Sequence, residues 1–168
     1  MFGTLIISSI LYLEKNFFRK KEQSMEFYKY HSLGNDYLIY DCNKNQETLD
    51  KEKIVKLCNR NYGIGADGIV EGPYKKDGKM YVKVYNADGS EAEQGGNAIR
   101  IFAHYLKTIK EVQSESFSLY TKGGEVELRF LNREGTRIQM TMGQPSFDSE
   151  KIGLTGPKRE ALHEYFNF

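Results

Sequence analysis

Glycine, asparagine and aspartate crowd into three short stretches of this sequence: Gly34-Asn35-Asp36, Gly63-Ile64-Gly65-Ala66-Asp67-Gly68, and the run from Asn86 to Asn97. Stretches of this composition are usually plain turns, so any chemistry must be read from what adjoins them. The third is the most specific. Asn86-Ala87-Asp88-Gly89-Ser90 leads into Gly95-Gly96-Asn97 and then directly into a strongly apolar helical pattern. Paired glycines there let backbone N–H groups converge at a helix N-terminus. Such an end has unsatisfied donors and a partial positive charge, which suit a carboxylate or a phosphate. Asn35, Asn86 and Asn97 add side chains that both donate and accept hydrogen bonds without carrying charge. Together they describe a pocket for a small zwitterion better than one for a polyanion.

Phosphate is the competing ligand, and the loops lack its signatures. No glycine pair is followed by Lys-Ser or Lys-Thr at the spacing of a P-loop. Gly63-x-Gly65-x-x-Gly68 matches the dinucleotide string letter for letter. Its context is reversed, however, with a helix before it and a short apolar segment (Ile69, Val70) after it. The nucleotide reading is discarded.

The elements that must position these loops follow from periodicity. Residues 27–31 and 37–42 read as strands around the turn Leu33-Gly34-Asn35-Asp36. Asp50 is a helix N-cap, with Ile54, Leu57 and Cys58 on one face and an end near Tyr62-Gly63. Residues 80–85 form a strand with Met80, Val82 and Val84 on one side. In the second helix Ala98, Ile101, Phe102, Tyr105 and Ile109 make one continuous apolar face. Ile99, Ala103 and Leu106 widen it until most of the helix must be enclosed, which leaves Arg100, His104 and Lys107 for water. Residues 117–120 and 125–131 form a hairpin around Lys122-Gly123-Gly124, and residues 137–142 a last strand. The fold expected is α+β, a curved, mostly antiparallel sheet wrapped around one central buried helix. Beyond Pro145 the pattern thins into a loop at 153–157 and a short amphipathic end at 158–168.

Composition bounds the function. The chain has 168 residues, 39% of them hydrophobic and 13% aromatic, which fits one globular domain and excludes a disordered one. With 24 basic and 23 acidic residues the net charge is +1, so no global field recommends nucleic acid or an anionic membrane. Cys42 and Cys58 fit neither a redox pair nor a zinc site and read as structural thiols, with a reducing cytoplasm as the location. The apolar run at residues 2–13 is too short to span a bilayer, which needs roughly 20 residues. Its basic residues follow it, whereas a secretory signal carries them before. Residues 1–24 are therefore expected to stand outside the fold, as a translated upstream stretch with Met25 as the start; a membrane-surface anchor is the alternative.

Four segments carry a resemblance. His31-Ser32-Leu33-Gly34-Asn35-Asp36-Tyr37 is similar to the opening motif of the diaminopimelate epimerase family, and Gly63-Ile64-Gly65-Ala66-Asp67 to its second glycine loop. Asn86-Ala87-Asp88-Gly89-Ser90, followed by Gly96-Asn97-Ala98-x-Arg100, resembles the family's central motif, and Met142-Gly143-Gln144-Pro145 the close of its first lobe. The resemblance implies a fold of two similar lobes with the substrate in the cleft between them. Each lobe supplies one cysteine at the start of its central helix. One thiolate removes the α-proton and a thiol on the opposite face returns one, with no cofactor and no metal. It further implies that Asn35 and Asn86 contact the substrate through side chains, and that Gly96 and Asn97 contact it through backbone N–H groups, while Asp36 and Asp88 shape their loops.

The sequence departs from that pattern twice. Gly95 occupies the position of the family's catalytic cysteine, and the second lobe is not found within the chain. Residues 25–147 are then expected to be the first lobe, with 148–168 a tail in place of the second. The reaction implied is interconversion of LL- and meso-diaminopimelate for lysine and peptidoglycan precursors, with this chain inactive alone. Its partners would be a small amino-acid substrate and a second-lobe chain or another copy of itself. Two alternatives stand beside it: a carboxylate- or amino-acid-binding module without catalysis, and a fragment of a related amino-acid racemase.

Overall fold

A computed structural model of the chain describes residues 4–7, 10–20, 23–143, 146–162 and 165, with the backbone alone before Met25. The elements in order are β1 (Thr4–Ile7), β2 (Ile10–Lys20), β3 (Gln23–Ser32), β4 (Asn35–Asp41), α1 (Lys51–Cys58), β5 (Gly68–Lys76), β6 (Lys79–Asn86), β7 (Glu91–Ala92), α2 (Gly96–Thr108), β8 (Ser116–Thr121), β9 (Gly124–Phe130) and β10 (Ile138–Thr141). One sheet runs in the order β1-β10-β9-β8-β6-β5-β4-β3-β2, with β7 folded back on β6. Its ladders are antiparallel except β4 with β5 and β6 with β8, the two places where a helix intervenes between strands. Residues 1–24, expected to stand apart, contribute β1 paired with β10 and β2 paired with β3.

The expected α+β architecture is what the chain adopts. Side-chain alternation divides the sheet into an inner and an outer face. Tyr37 and Ile39 of β4 point inward to α2, joined by Val70, Val82, Val84, Leu119, Val126, Leu128, Ile138 and Met140 from the surrounding strands. Leu38 and Tyr40 point outward and pack with Ile54, Leu57 and Cys58 of α1. Ile99, Ile101, Phe102, Ala103, Tyr105 and Leu106 are fully buried. A helix apolar on all sides is stable only when enclosed, and here the curved sheet encloses it.

Several boundaries differ from the sequence reading. α1 is capped by Asp50, whose side chain accepts from the Lys53 N–H, but it ends at Cys58 rather than near Tyr62. Asn59 stops it: its Oδ1 accepts from the Asn61 and Tyr62 N–H groups and diverts the chain into a turn. β5 runs nine residues, where the sequence shows only a short apolar segment at Ile69 and Val70. The residues assigned to water on α2 are also corrected. Arg100 is 1% exposed. His104 is half-buried, its Nδ1 3.0 Å from the Gly135 carbonyl and its ring edge-on to Tyr30. Lys107 lays its ammonium 4.2 Å from the centre of the Phe130 ring. In the tail, Asp148 bridges to Glu160. Gln144 and Pro145 of the fourth motif lie outside the described residues.

Candidate functional site

The fold brings the first and third glycine-rich loops to one end of α2. Gly95 is the N-cap residue, extended at φ −142° and ψ 100°, with no side chain to turn back on the helix. The first turn holds no acidic residue, and Ile99 supplies the first helical N–H bond, to the Gly95 carbonyl at 2.9 Å. The amides of Gly96, Asn97 and Ala98 therefore lead the helix without helical acceptors. A side chain at Gly95 would fit only if its neighbours gave by a few tenths of an ångström. A Cβ there would stand 3.2 Å from the Ala98 Cβ and 3.4 Å from Val84 Cγ1, in a backbone region that any residue adopts.

Asn35 and Asn97, far apart in sequence, meet directly. Asn97 Nδ2 donates to Asn35 Oδ1 at 3.1 Å, and Asn35 Nδ2 donates to Asp67 Oδ2 at 2.6 Å. Asp67 also accepts from the Asp36 N–H at 3.1 Å, and its own N–H donates to the Asp36 carbonyl at 2.9 Å. The second loop thus fastens onto the first. Gly68 makes this possible: a Cβ there would fall 2.2 Å from the Tyr85 carbonyl oxygen and 2.7 Å from the Tyr37 ring. Asn86 behaves differently. It pairs across the sheet with Gly68, but its exposed side chain donates to Ser90 Oγ at 3.0 Å and closes its own turn with Asp88. Its side chain does not join the Asn35–Asn97 pair.

Three further side chains complete the network, and composition and spacing had given them no role in it. Arg60 donates to both Asp36 oxygens, at 3.1 and 2.6 Å, and to Asp67 Oδ1 at 2.7 Å. Lys29 lies 3.1 Å from Asp36 Oδ2 and donates to the Gly65 carbonyl at 2.7 Å. Burial works against the Asp36 carboxylate, but the hydrogen bonds from Arg60 and Lys29 outweigh it and hold its pKa down at about 2. Arg100 donates through Nη2 to Asn97 Oδ1 at 2.5 Å. Arg100 stood in the central motif without a role, and Ile99 and Ala103 flank it on the helix surface and leave no wide polar sector. Asp67 lay within a noted motif without a role. Arg60 and Lys29 carry no local sign, because their partners lie on other elements.

The two cysteines are remote from this chemistry in character. Burial pushes the Cys58 thiol up to about 11 and raises that of Cys42. Neither is activated as a nucleophile or base. Among the described residues no cluster of three His, Cys, Asp or Glu side chains could hold a metal ion, and no helix is long and apolar enough to cross a membrane.

Comparison with known proteins agrees with the motifs. Residues 27–148 match the family model described as diaminopimelate epimerase. A diaminopimelate epimerase 2 of Nostoc sp. is 43% identical over 141 residues, 83% of this chain and 49% of the relative. The diaminopimelate epimerase of Caldanaerobacter subterraneus is 39% identical over 145 residues, covering 83% of this chain and 51% of the relative. The chain thus spans about half the length of the curated relatives it matches. In fold it is similar to a hydroxyproline epimerase from Agrobacterium vitis solved with trans-4-hydroxy-L-proline. The TM-score is 0.59 at 13% identity, over 82% of this chain and 48% of the other. A probable proline racemase from Agrobacterium radiobacter superposes with TM-score 0.56 at 12% identity, over 87% of this chain and 54% of the other.

Proposed function

Because the chain belongs to the diaminopimelate epimerase family, we propose that residues 25–147 carry one half of an amino-acid epimerase site. In this reading the leading amides of α2, at Gly96 and Asn97, hold the α-carboxylate of the substrate. Asn35 orients its amino group, and Asn86 closes the site once its turn opens toward a second lobe. The substrate class is a diaminopimelate, and the reaction of the complete enzyme is inversion at its α-carbon. One thiolate would take the α-proton while a thiol on the other face returns one, and the helix amides would absorb charge as the carbanion forms.

The observation that carries this reading is the geometry of Gly95. It occupies the cap of the helix that the motif assigns to the family's thiol, in an ordinary extended conformation where a Cβ needs only a few tenths of an ångström of give from Ala98 and Val84. A thiol there would sit against the bare amides of the helix end, where cysteine pKa values fall to about 3.5–7.5. Glycine offers no group that moves a proton. Each positioned acid or base contributes roughly 10²- to 10⁴-fold, so the chain alone is expected to be inactive. Gly95→Cys, combined with a second lobe from a relative, is expected to exchange the substrate α-proton with D₂O, read by NMR. A folded complex that exchanges nothing would refute the placement of the thiol. A binding module is the second reading, favoured by a carboxylate-holding helix end that persists without the thiol. Calorimetric binding of diaminopimelate by the unaltered chain, with no exchange in any complex, would select it.

A further inference from the structure

Among the described residues Arg100 is a buried cation without a counter-ion. It is 1% exposed, and among the described residues no carboxylate pairs with it. Its contacts are the Asn97 amide oxygen at 2.5 Å and the Met140 sulfur at 3.4 Å, while its Nε–H has no partner. Leaving a charge in this state is unfavourable unless something negative reaches it. A guanidinium does not escape by losing its proton, although burial lowers its pKa. Ser32 Oγ is likewise buried and without a partner. It stands on the α2-facing side of β3 with Tyr28 and Tyr30, and pairs across to Asn35 at the end of that ladder. The buried side-chain atoms without partners among the described residues are His31 Nδ1, Ser32 Oγ and Arg100 Nε. All three lie within four residues of Asn35 or Asn97.

The hydrogen bonds leading away from Arg100 run in one direction. A guanidinium only donates, so the Asn97 oxygen faces it and the Asn97 NH₂ faces Asn35. The Asn35 NH₂ then faces Asp67, a carboxylate that only accepts. Arg100 Nη1 also lies 3.4 Å from where a Cβ on Gly96 would stand, directly under the leading turn of α2. We propose that Arg100 is a positioning residue for the anion held at this helix end. It sets which way both asparagine amides face, and it adds a full buried positive charge to the partial charge of the bare amides. That the anion is an amino-acid carboxylate rests on the function proposed above. The charge itself does not.

The other charged groups near this helix end are differently placed. Asp36, Asp67, Arg60 and Lys29 are already paired with one another on the first two loops. Glu91 and Glu93, on the segment entering α2, are exposed. A reporter at Gly95 therefore feels Arg100 as the unpaired buried charge. In the Gly95→Cys chain the thiol is expected to titrate below the free-cysteine value of about 8.5, followed by thiolate absorbance against pH. Adding Arg100→Met is expected to raise that midpoint by about one unit or more, while adding Arg100→Lys keeps most of the depression. Arg100→Gln retains a donor for Asn97 without the charge, and serves as the neutral variant if the methionine chain does not fold. An unchanged midpoint in the folded neutral variant overturns the proposal. If the midpoint depends on Arg100 but diaminopimelate does not bind, the proposed function fails and this inference stands.

Discussion

At Asp36 three donor nitrogens converge on one buried carboxylate, two from Arg60 and one from Lys29. Its folded pKa of about 2 lies below the ordinary 3.8, so the stabilisation is complete above about pH 4 and fades as pH falls toward 2. The difference corresponds to about 2 kcal/mol. Asp36→Asn is expected to cost about that much at neutral pH and to flatten the acid limb between pH 4 and 2. Acid titrations of the two chains followed by circular dichroism check this; parallel acid limbs would show that the network adds nothing. The sequence displays Asp36 in a motif, but not the arginine 24 positions away that gives it its character. Gly95 is the opposite case. Its significance is legible only as a departure from a pattern, and the structure adds that its backbone conformation is open to any residue while Ala98 and Val84 stand close to where a Cβ would be.

The elements differ in how openly the sequence announces them. α2 is read without difficulty, because an apolar residue recurs on every side of a helical repeat. β5 is not, because Glu71, Gly72 and Pro73 interrupt it and its first six residues are all buried. A strand covered on both faces loses the alternation by which strands are recognised. Its parallel partner β4 and the α1 crossover put it in place. Gly68 at its start is the tightest point, held between the Tyr85 carbonyl and the Tyr37 ring. Gly68→Ala is expected to destabilise the chain by about 1–3 kcal/mol through overpacking and to disturb the Asp67–Asn35 bond. Urea unfolding measures the first effect; a loss below 0.5 kcal/mol would mean that the sheet yields here at little cost.

For the whole molecule, the match to about half of each relative's length is consistent with a single lobe, and the function proposed above gives that lobe a partner surface at its site. On that proposal Leu33 would lie on the covered surface. It is 67% exposed in the turn before Asn35 and held at φ 55°, a conformation that favours glycine and asparagine over leucine. An exposed leucine held there is accounted for if another surface covers it. The isolated chain is expected to self-associate, and Leu33→Asn to weaken that association while leaving the fold intact. Sedimentation velocity over a range of concentrations checks this, and a strictly monomeric unaltered chain would show a lobe suited to standing alone.

The sequence by itself determined the α+β class, the buried helix, its glycine-led N-terminus and the family, since periodicity and motif order are local and survive without coordinates. Only the tertiary structure decided that Asn35 meets Asn97 while the Asn86 side chain turns away. It also decided that Arg60 and Lys29 hold Asp36, and that Arg100 lies inside rather than in water. Those facts depend on which residues the curved sheet brings across to one end of α2, and contacts between elements leave no trace in the spacing of either one.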